Sequence, residues 1–235
     1  MSWNWFLVII EIGNIRISVL NNKRIQRIEE VLKRKQPTLQ VFLDNVDSSQ
    51  NISAIMRSCD GVGVLNFYYS NVVDKDVKTH KTITQGAQHW LYDERIDTVD
   101  KVSFLKEKQK EGFQIVVTHL SEKSVSYREV DYTKQTLIVM GNEKEGISEE
   151  VLELADEVVL IPMRGMAQSL NVSVATALLL YEAERKLDGA GFYDEPKLSF
   201  SRMEEIKFEW VHRDLIMRRS KGTIFTGRKK RKPRE

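Results

Sequence analysis

Apolar residues along this chain fall into short strand-like runs separated by segments with helical spacing. Ile25, Ile28, Val31 and Leu32 recur at three- and four-residue intervals with lysine and arginine on the other face. They predict a helix that Pro37 stops. Val41–Leu43 predicts a buried strand, followed by the polar loop Asp44–Asn51 and a helix marked by Ile52, Ile55 and Met56 that ends at Gly61. A second strand is expected from Val64 to Tyr69, an irregular polar stretch from His80 to Gln88, and a short strand around Trp90–Tyr92. Val102, Leu105 and the lysines after them predict a charged helix ending at Gly112. Gln114–Leu120 reads as a strand and Ser121–Lys134 as a polar connection.

The next fifty residues organise the rest. Leu137–Gly146, Val158–Met163 and Gln168–Ser173 are three linked pieces; the first two are apolar runs ending in polar loops, and the third opens a helix rich in alanine and leucine. Gly189 and Gly191 break that helix. Met203, Ile206, Trp210 and Leu215 predict a C-terminal helix, and Gly227–Arg234 a basic tail. About six strands alternating with helices predict an α/β fold, a largely parallel sheet with helices on both faces. Such a sheet gathers its loops at one edge, where α/β proteins bind ligands. The expected domains are an extension over 1–22, a main domain over 23–193, and a helix with a basic tail over 194–235.

Charge sharpens this picture. The net charge is +2, but residues 23–35 carry +4 and residues 218–235 carry +8. Residues 1–22 are neutral, which leaves −10 on residues 36–217. An acidic body with basic ends points to a polyanion gripped by the ends. Cys59 is the single cysteine, so neither a disulfide framework nor a thiolate metal site is available, as expected of a reducing cytoplasm. The four histidines lack ligand spacing, and no metal is expected. Trp5–Ile10 is apolar, but Glu11 interrupts it far short of a membrane span, and no signal-peptide pattern surrounds it.

Individual motifs are ambiguous. Gly61-Val-Gly63 ends a helix and precedes a strand, the reverse of a dinucleotide-binding turn, and reads as a helix C-cap. Asn51 suits a helix N-cap, with Arg57 six residues on. Gly141-Asn-Glu-Lys-Glu-Gly146 permits tight turns and a close ligand approach, but equally a plain surface turn before a helix capped by Ser148. Ser169 and Asn171 suit helix caps.

Taken together, their order and spacing carry a resemblance. Asn51–Arg57, Leu137–Gly146 and Ile161–Ser173 resemble the three motifs of the SpoU/TrmH branch of the SPOUT methyltransferases, and Arg128-Glu-Val-Asp-Tyr-Thr133 is similar to that branch's tRNA-modifying members. The resemblance spans about residues 23–193 and looks closest to the tRNA guanosine-18 2′-O-methyltransferases. It implies a C-terminal deep trefoil knot, S-adenosyl-L-methionine as cofactor, tRNA as substrate, and a homodimer in the cytoplasm. By residue match it implies cofactor contacts at Thr118, Gly141, Ile161, Met163 and Leu170, and catalytic positions at Arg57, Asn51, Glu143, Ser169 and Asn171. RNA contacts are implied at Arg24, Arg27, Lys35 and Arg185. Two positions depart from the pattern. Asp47-Ser-Ser-Gln50 stands where relatives commonly carry basic or histidine residues, and Leu187 replaces a basic position.

The implied chemistry is methyl transfer to a ribose 2′-oxygen. Arg57 is the implied activator of that hydroxyl. A guanidinium is effectively always charged, so electrostatic stabilisation of the developing alkoxide suits it better than proton abstraction. The alternatives are a ribosomal-RNA 2′-O-methyltransferase and a non-catalytic RNA-binding relative.

Overall fold

A computed structural model describes residues 22–70 and 80–220; the expected extension, with its Trp5–Ile10 run, and the tail Gly227–Arg234 lie outside the described residues. Seven strands form one sheet: β1 (Leu39–Asp44), β2 (Asn66–Ser70), β3 (Tyr92–Arg95), β4 (Gln114–Thr118), β5 (Val125–Ser126), β6 (Thr136–Gly141) and β7 (Glu157–Leu160). Every pairing is parallel, in the order β3-β2-β1-β6-β4-β7-β5. β1 lies beside β6 with Leu43 opposite Met140, and β6 lies beside β4 with Val139 opposite Val117.

The central strands are buried throughout because both faces are covered, as parallel sheets require. Leu39, Val41 and Leu43 point to one face, with Ile138 and Met140, against α2 (Ser49–Gly61) and α6 (Val172–Gly189). Phe42, Leu137 and Val139 point to the other, against Leu105 of α4 (Lys101–Lys110) and Val151 of α5 (Glu149–Leu152). The period-two alternation of a strand divides these residues between the two cores. The remaining helices are α1 (Asn22–Leu32), α3 (Lys81–Thr84) and α7 (Phe200–Ser220).

The chain divides into two compact units. Among the described residues, one unit spans 31–199 and holds the sheet, and the other comprises 22–30 and 200–220. Within the second unit Trp210 and Ile206 are buried, and Arg24 pairs with Asp214 at 3.2 Å and Lys207 with Glu29 at 2.6 Å.

Three local differences from the sequence expectation have plain causes. β5, only two residues long, falls inside the expected polar connection; it is too short to show a period. A 3-10 turn occupies Ala87–Trp90, so the strand expected there starts at Tyr92. β7 stops at Leu160, before Pro162, which has no N–H to donate to a ladder.

Candidate active site

The loops that follow β4, β6 and β7 surround a cleft of about 650 Å³ at the carboxyl ends of the strands. That volume lies within the range of small-molecule sites. Thr118, Gly141, Ile161, Met163 and Leu170 all line it, as do Glu143, Ser169 and Asn171. The three segments singled out in the sequence thus converge on one space.

The loop after β6 explains its own glycines. Asn142 and Gly146 exchange both backbone hydrogen bonds at 2.9 Å, closing residues 142–146 into a tight turn. Gly146 has φ +74°, a conformation that favours glycine. Gly141 has no room for a side chain, since a Cβ there would meet the Gly146 carbonyl at 2.3 Å and the Ile147 nitrogen at 2.5 Å. Asn142 Oδ1 accepts from the Lys144 amide at 2.8 Å, and its Nδ2 donates to the Asn45 carbonyl at 2.7 Å. The turn is therefore tied to the loop after β1.

A second tie lies beneath. Buried Asp44, at the end of β1, accepts from the Ser148 amide at 3.0 Å, the Ser148 hydroxyl at 2.8 Å and Lys101 Nζ at 3.2 Å. Lys101 also reaches Glu150 at 2.7 Å. Burial opposes the charge on Lys101, yet Glu150 and Asp44 outweigh it and raise the ammonium's pKa. Ser148 occupies the N-cap position of α5, but its hydroxyl serves Asp44 and makes no cap bond.

Asn51 is not an N-cap. Ser48 caps α2, its side chain accepting from the Asn51 amide at 3.3 Å, and Asn51 lies inside the first turn. Its side chain is thereby free to bridge two loops of the cleft. Asn51 Nδ2 donates to Glu143 Oε1, and Asn51 Oδ1 accepts from Asn171 Nδ2 at 3.1 Å. Asn171 does cap α6, its Oδ1 accepting from the Ser173 amide at 2.8 Å and the Ser173 hydroxyl at 2.6 Å. The cap fixes the Asn171 amide, which orients Asn51, which holds the Glu143 carboxylate.

Arg57 stays outside this group. It is exposed on α2, does not line the cleft, and forms no hydrogen bond or ion pair with any described residue. Arg24 is partly exposed beside Asp214. Arg27 and Arg185 are exposed and pair with Glu30 and Glu182 on their own helices. Lys35 corrects the expectation of an RNA contact. It is 0 % exposed, with its ammonium donating to Asp60 at 3.1 Å and to the Val64 carbonyl at 2.9 Å. Burial lowers its pKa, partly offset by Asp60. The family resemblance implied a contact at this position; its partners, Asp60 and Val64, are too distant in sequence to foresee. Leu187 lies in the core beside Leu180 and Ala183, where a cation is excluded.

Sequence reading also missed His119 and Leu120, which line the cleft after β4. Their signal was position alone, the first residues past a strand at the binding edge.

A parallel α/β protein with a ligand cleft at the strand ends is the class that fold and site define. The sequence model of the SpoU rRNA Methylase family matches residues 38–181. The chain is 48% identical over 204 residues to the tRNA (guanosine(18)-2′-O)-methyltransferase of Aquifex aeolicus, covering 87% of this chain and 95% of that protein. The crystal structure of the A. aeolicus TrmH/SpoU tRNA modifying enzyme superposes with a TM-score of 0.79 at 49% identity, covering 82% of this chain and 97% of that one. The AdoMet-bound rRNA methyltransferase of Sinorhizobium meliloti gives 0.58 at 31% identity, covering 68% and 60%. The chain belongs to the SpoU methylase family.

Proposed function

We propose that this protein is an S-adenosyl-L-methionine-dependent tRNA ribose 2′-O-methyltransferase acting on guanosine-18 of the D-loop. One observation carries the reading. Three loops from separate strands meet in one cleft whose rim is joined by the Asn51–Glu143–Asn171 hydrogen bonds, in a chain similar along most of its length to a protein named for that reaction.

The cleft fits the cofactor. Leu160, Ile161, Met163 and Leu170 offer apolar surface to an adenine, and Glu143 and Asn142 offer polar groups. In a related methyltransferase the named ligand is AdoMet. The cofactor supplies an electrophilic methyl group on a sulfonium. Thr118, Gly141, Ile161, Met163 and Leu170 bind it in this reading. Gly141 acts by letting the 142–146 turn close on its own backbone. Glu143, Ser169 and Asn171 orient the reacting groups, with Asn51 holding Glu143 in place. Arg57 supplies fixed positive charge to a ribose whose 2′-oxygen becomes anionic. Arg24, Arg27 and Arg185 are RNA contacts, each released from its intramolecular carboxylate by phosphate.

The assembly is a homodimer. Val174, Leu178 and Tyr181 are exposed at spacings of four and three residues on α6, an apolar stripe on one helix face that a second copy covers. The expected knot lies in the segment from β6 to α6, and the functional division is residues 23–193 with an appended 194–235. The enzyme works in the cytoplasm on soluble tRNA; no helix among the described residues is long and apolar enough to cross a membrane.

The test is to incubate the protein with labelled cofactor and, in parallel, unmodified bulk tRNA or unmodified ribosomal RNA, and to map 2′-O-methyl sites by mass spectrometry. Label at guanosine-18 is expected. Label confined to ribosomal RNA, or cofactor binding without transfer to any RNA, refutes the proposal.

A further inference from the structure

Several exposed cations among the described residues are matched by carboxylates on their own helices. Arg27 pairs with Glu30, Arg185 with Glu182, Arg202 with Glu205, and Lys110 with Glu107. Arg164 is not. It is exposed and forms no hydrogen bond or ion pair with any described residue. Its place gives this meaning. Arg164 follows Met163 directly and precedes Gln168 by four positions, and both of those residues line the cleft. Two residues on, Met166 is 100 % exposed. Across the same cleft Lys144 is exposed, and its ammonium has no carboxylate among the described residues.

The segment leading into α2, Asp47-Ser-Ser-Gln50, carries no cation, and Glu143 and Glu145 flank Lys144. A polyanion entering the cleft therefore meets positive charge with no carboxylate in the same loop at Arg164. A guanidinium offers a planar fork that matches a phosphate. A methionine beside it offers an adaptable apolar surface to a sugar or an unstacked base.

We propose that the loop 164–166 is an RNA contact: Arg164 binds a backbone phosphate next to the nucleotide that enters the cleft, and Met166 packs on its sugar or base. This rests on the RNA-methyltransferase reading and adds a contact to it. The two side chains differ in a way that salt separates. A phosphate contact releases counterions, so its loss lowers the slope of log affinity against log salt by about 0.7–0.9. An apolar contact leaves the slope alone.

The experiment is tRNA binding without cofactor, by fluorescence anisotropy on an unmodified transcript between about 50 and 200 mM salt. Arg164→Gln is expected to weaken binding about three- to tenfold and to lower the slope by about 0.7–0.9. Met166→Ala is expected to weaken it about threefold with the slope unchanged. Lys110→Gln is the control: Lys110 ends α4 where the chain turns into the start of β4, at the strand ends away from the cleft. It is expected to change neither quantity. If the natural protein binds tRNA but Arg164→Gln leaves the slope unmoved, or Lys110→Gln lowers it equally, the Arg164 contact is wrong. A slope that falls in Met166→Ala overturns the division of roles. A natural protein that binds no tRNA refutes the RNA reading itself, and this contact with it.

Discussion

Gly141→Ala tests how the cleft is built. The added methyl would sit 2.3 Å from the carbonyl carbon and oxygen of Gly146 and 2.5 Å from the amide nitrogen of Ile147. Ordinary contact begins at 3.4 Å, so the overlap is about 1 Å against backbone, which has no rotamer to change. Overpacking of this kind costs about 1–3 kcal/mol. Relief requires the 142–146 turn to open, with loss of the two Asn142–Gly146 hydrogen bonds, each worth about 1 kcal/mol. A total of about 3–5 kcal/mol follows, or roughly 6–20 °C in Tm for a chain of this length. Opening the turn also moves Glu143 off Asn51, so affinity for S-adenosyl-L-methionine falls at temperatures where the variant is still folded. Gly146→Ala is the contrast. Its φ is +74° but nothing lies within 4 Å of its Cβ, so only the left-handed conformation is penalised, by about 1 kcal/mol. Thermal scans and isothermal titration of both variants decide the matter. A Gly141→Ala protein with natural Tm and natural cofactor affinity would refute the reasoning.

Four further outcomes are expected. Ser48→Ala should cost about 1 kcal/mol in urea unfolding through loss of the α2 cap. Asn51→Ala loses its bonds to Glu143 and Asn171 rather than a cap, so it should cost about 1 kcal/mol while impairing methyl transfer far more than Ser48→Ala does, and natural turnover in Asn51→Ala would refute its place in the site. Lys101→Met strands buried Asp44 without its ammonium and should destabilise by about 3–5 kcal/mol, with Asp44→Asn added in the double variant recovering part of the loss; an additive double variant would contradict the pairing. Lys35 sets a pH dependence. Its pKa is lowered below 10.5, so between that lowered value and 10.5 the unfolded chain holds a proton that the folded chain releases, and stability rises with pH. Measured against Lys35→Met, the natural protein should gain stability as the pH rises toward 10.5, and a flat difference would place the ammonium as favourably inside as in water.

Much of the fold was legible because both faces of the sheet are covered. Val41–Leu43 and Gln114–Leu120 read as strands, as does the apolar start of Leu137–Gly146; β1 and β4 lie within two residues of the expected limits, and β6 starts one residue before Leu137. Cap geometry was less legible, because serine and asparagine both cap helices. Ser48 takes the cap expected of Asn51, and only the partners of Asn51, Glu143 and Asn171, show what the asparagine does instead. Those partners are 92 and 120 residues away. Lys35 illustrates the same limit from the opposite side. Nothing local distinguishes it from Lys33, yet one is buried on Asp60 and the other is exposed.

Arg57 shows how far a motif and a site differ. Asn51 and Arg57 belong to one sequence motif, and both sit on α2. Six residues of helix separate them by about 9 Å along the axis and about 120° around it. Asn51 faces Glu143 across the cleft rim, so Arg57 on the same rigid helix faces elsewhere. A guanidinium there reaches a nucleotide only if the RNA runs over the rim and along α2 or bends toward it. The proton-abstraction role then loses its geometric basis as well as its chemical one. A charge fixed beside the sugar-phosphate chain keeps both, and Arg57→Lys should therefore retain part of the natural turnover where Arg57→Gln retains little. Equal loss in both would mean that the planar fork, and not the charge, is what the reaction requires.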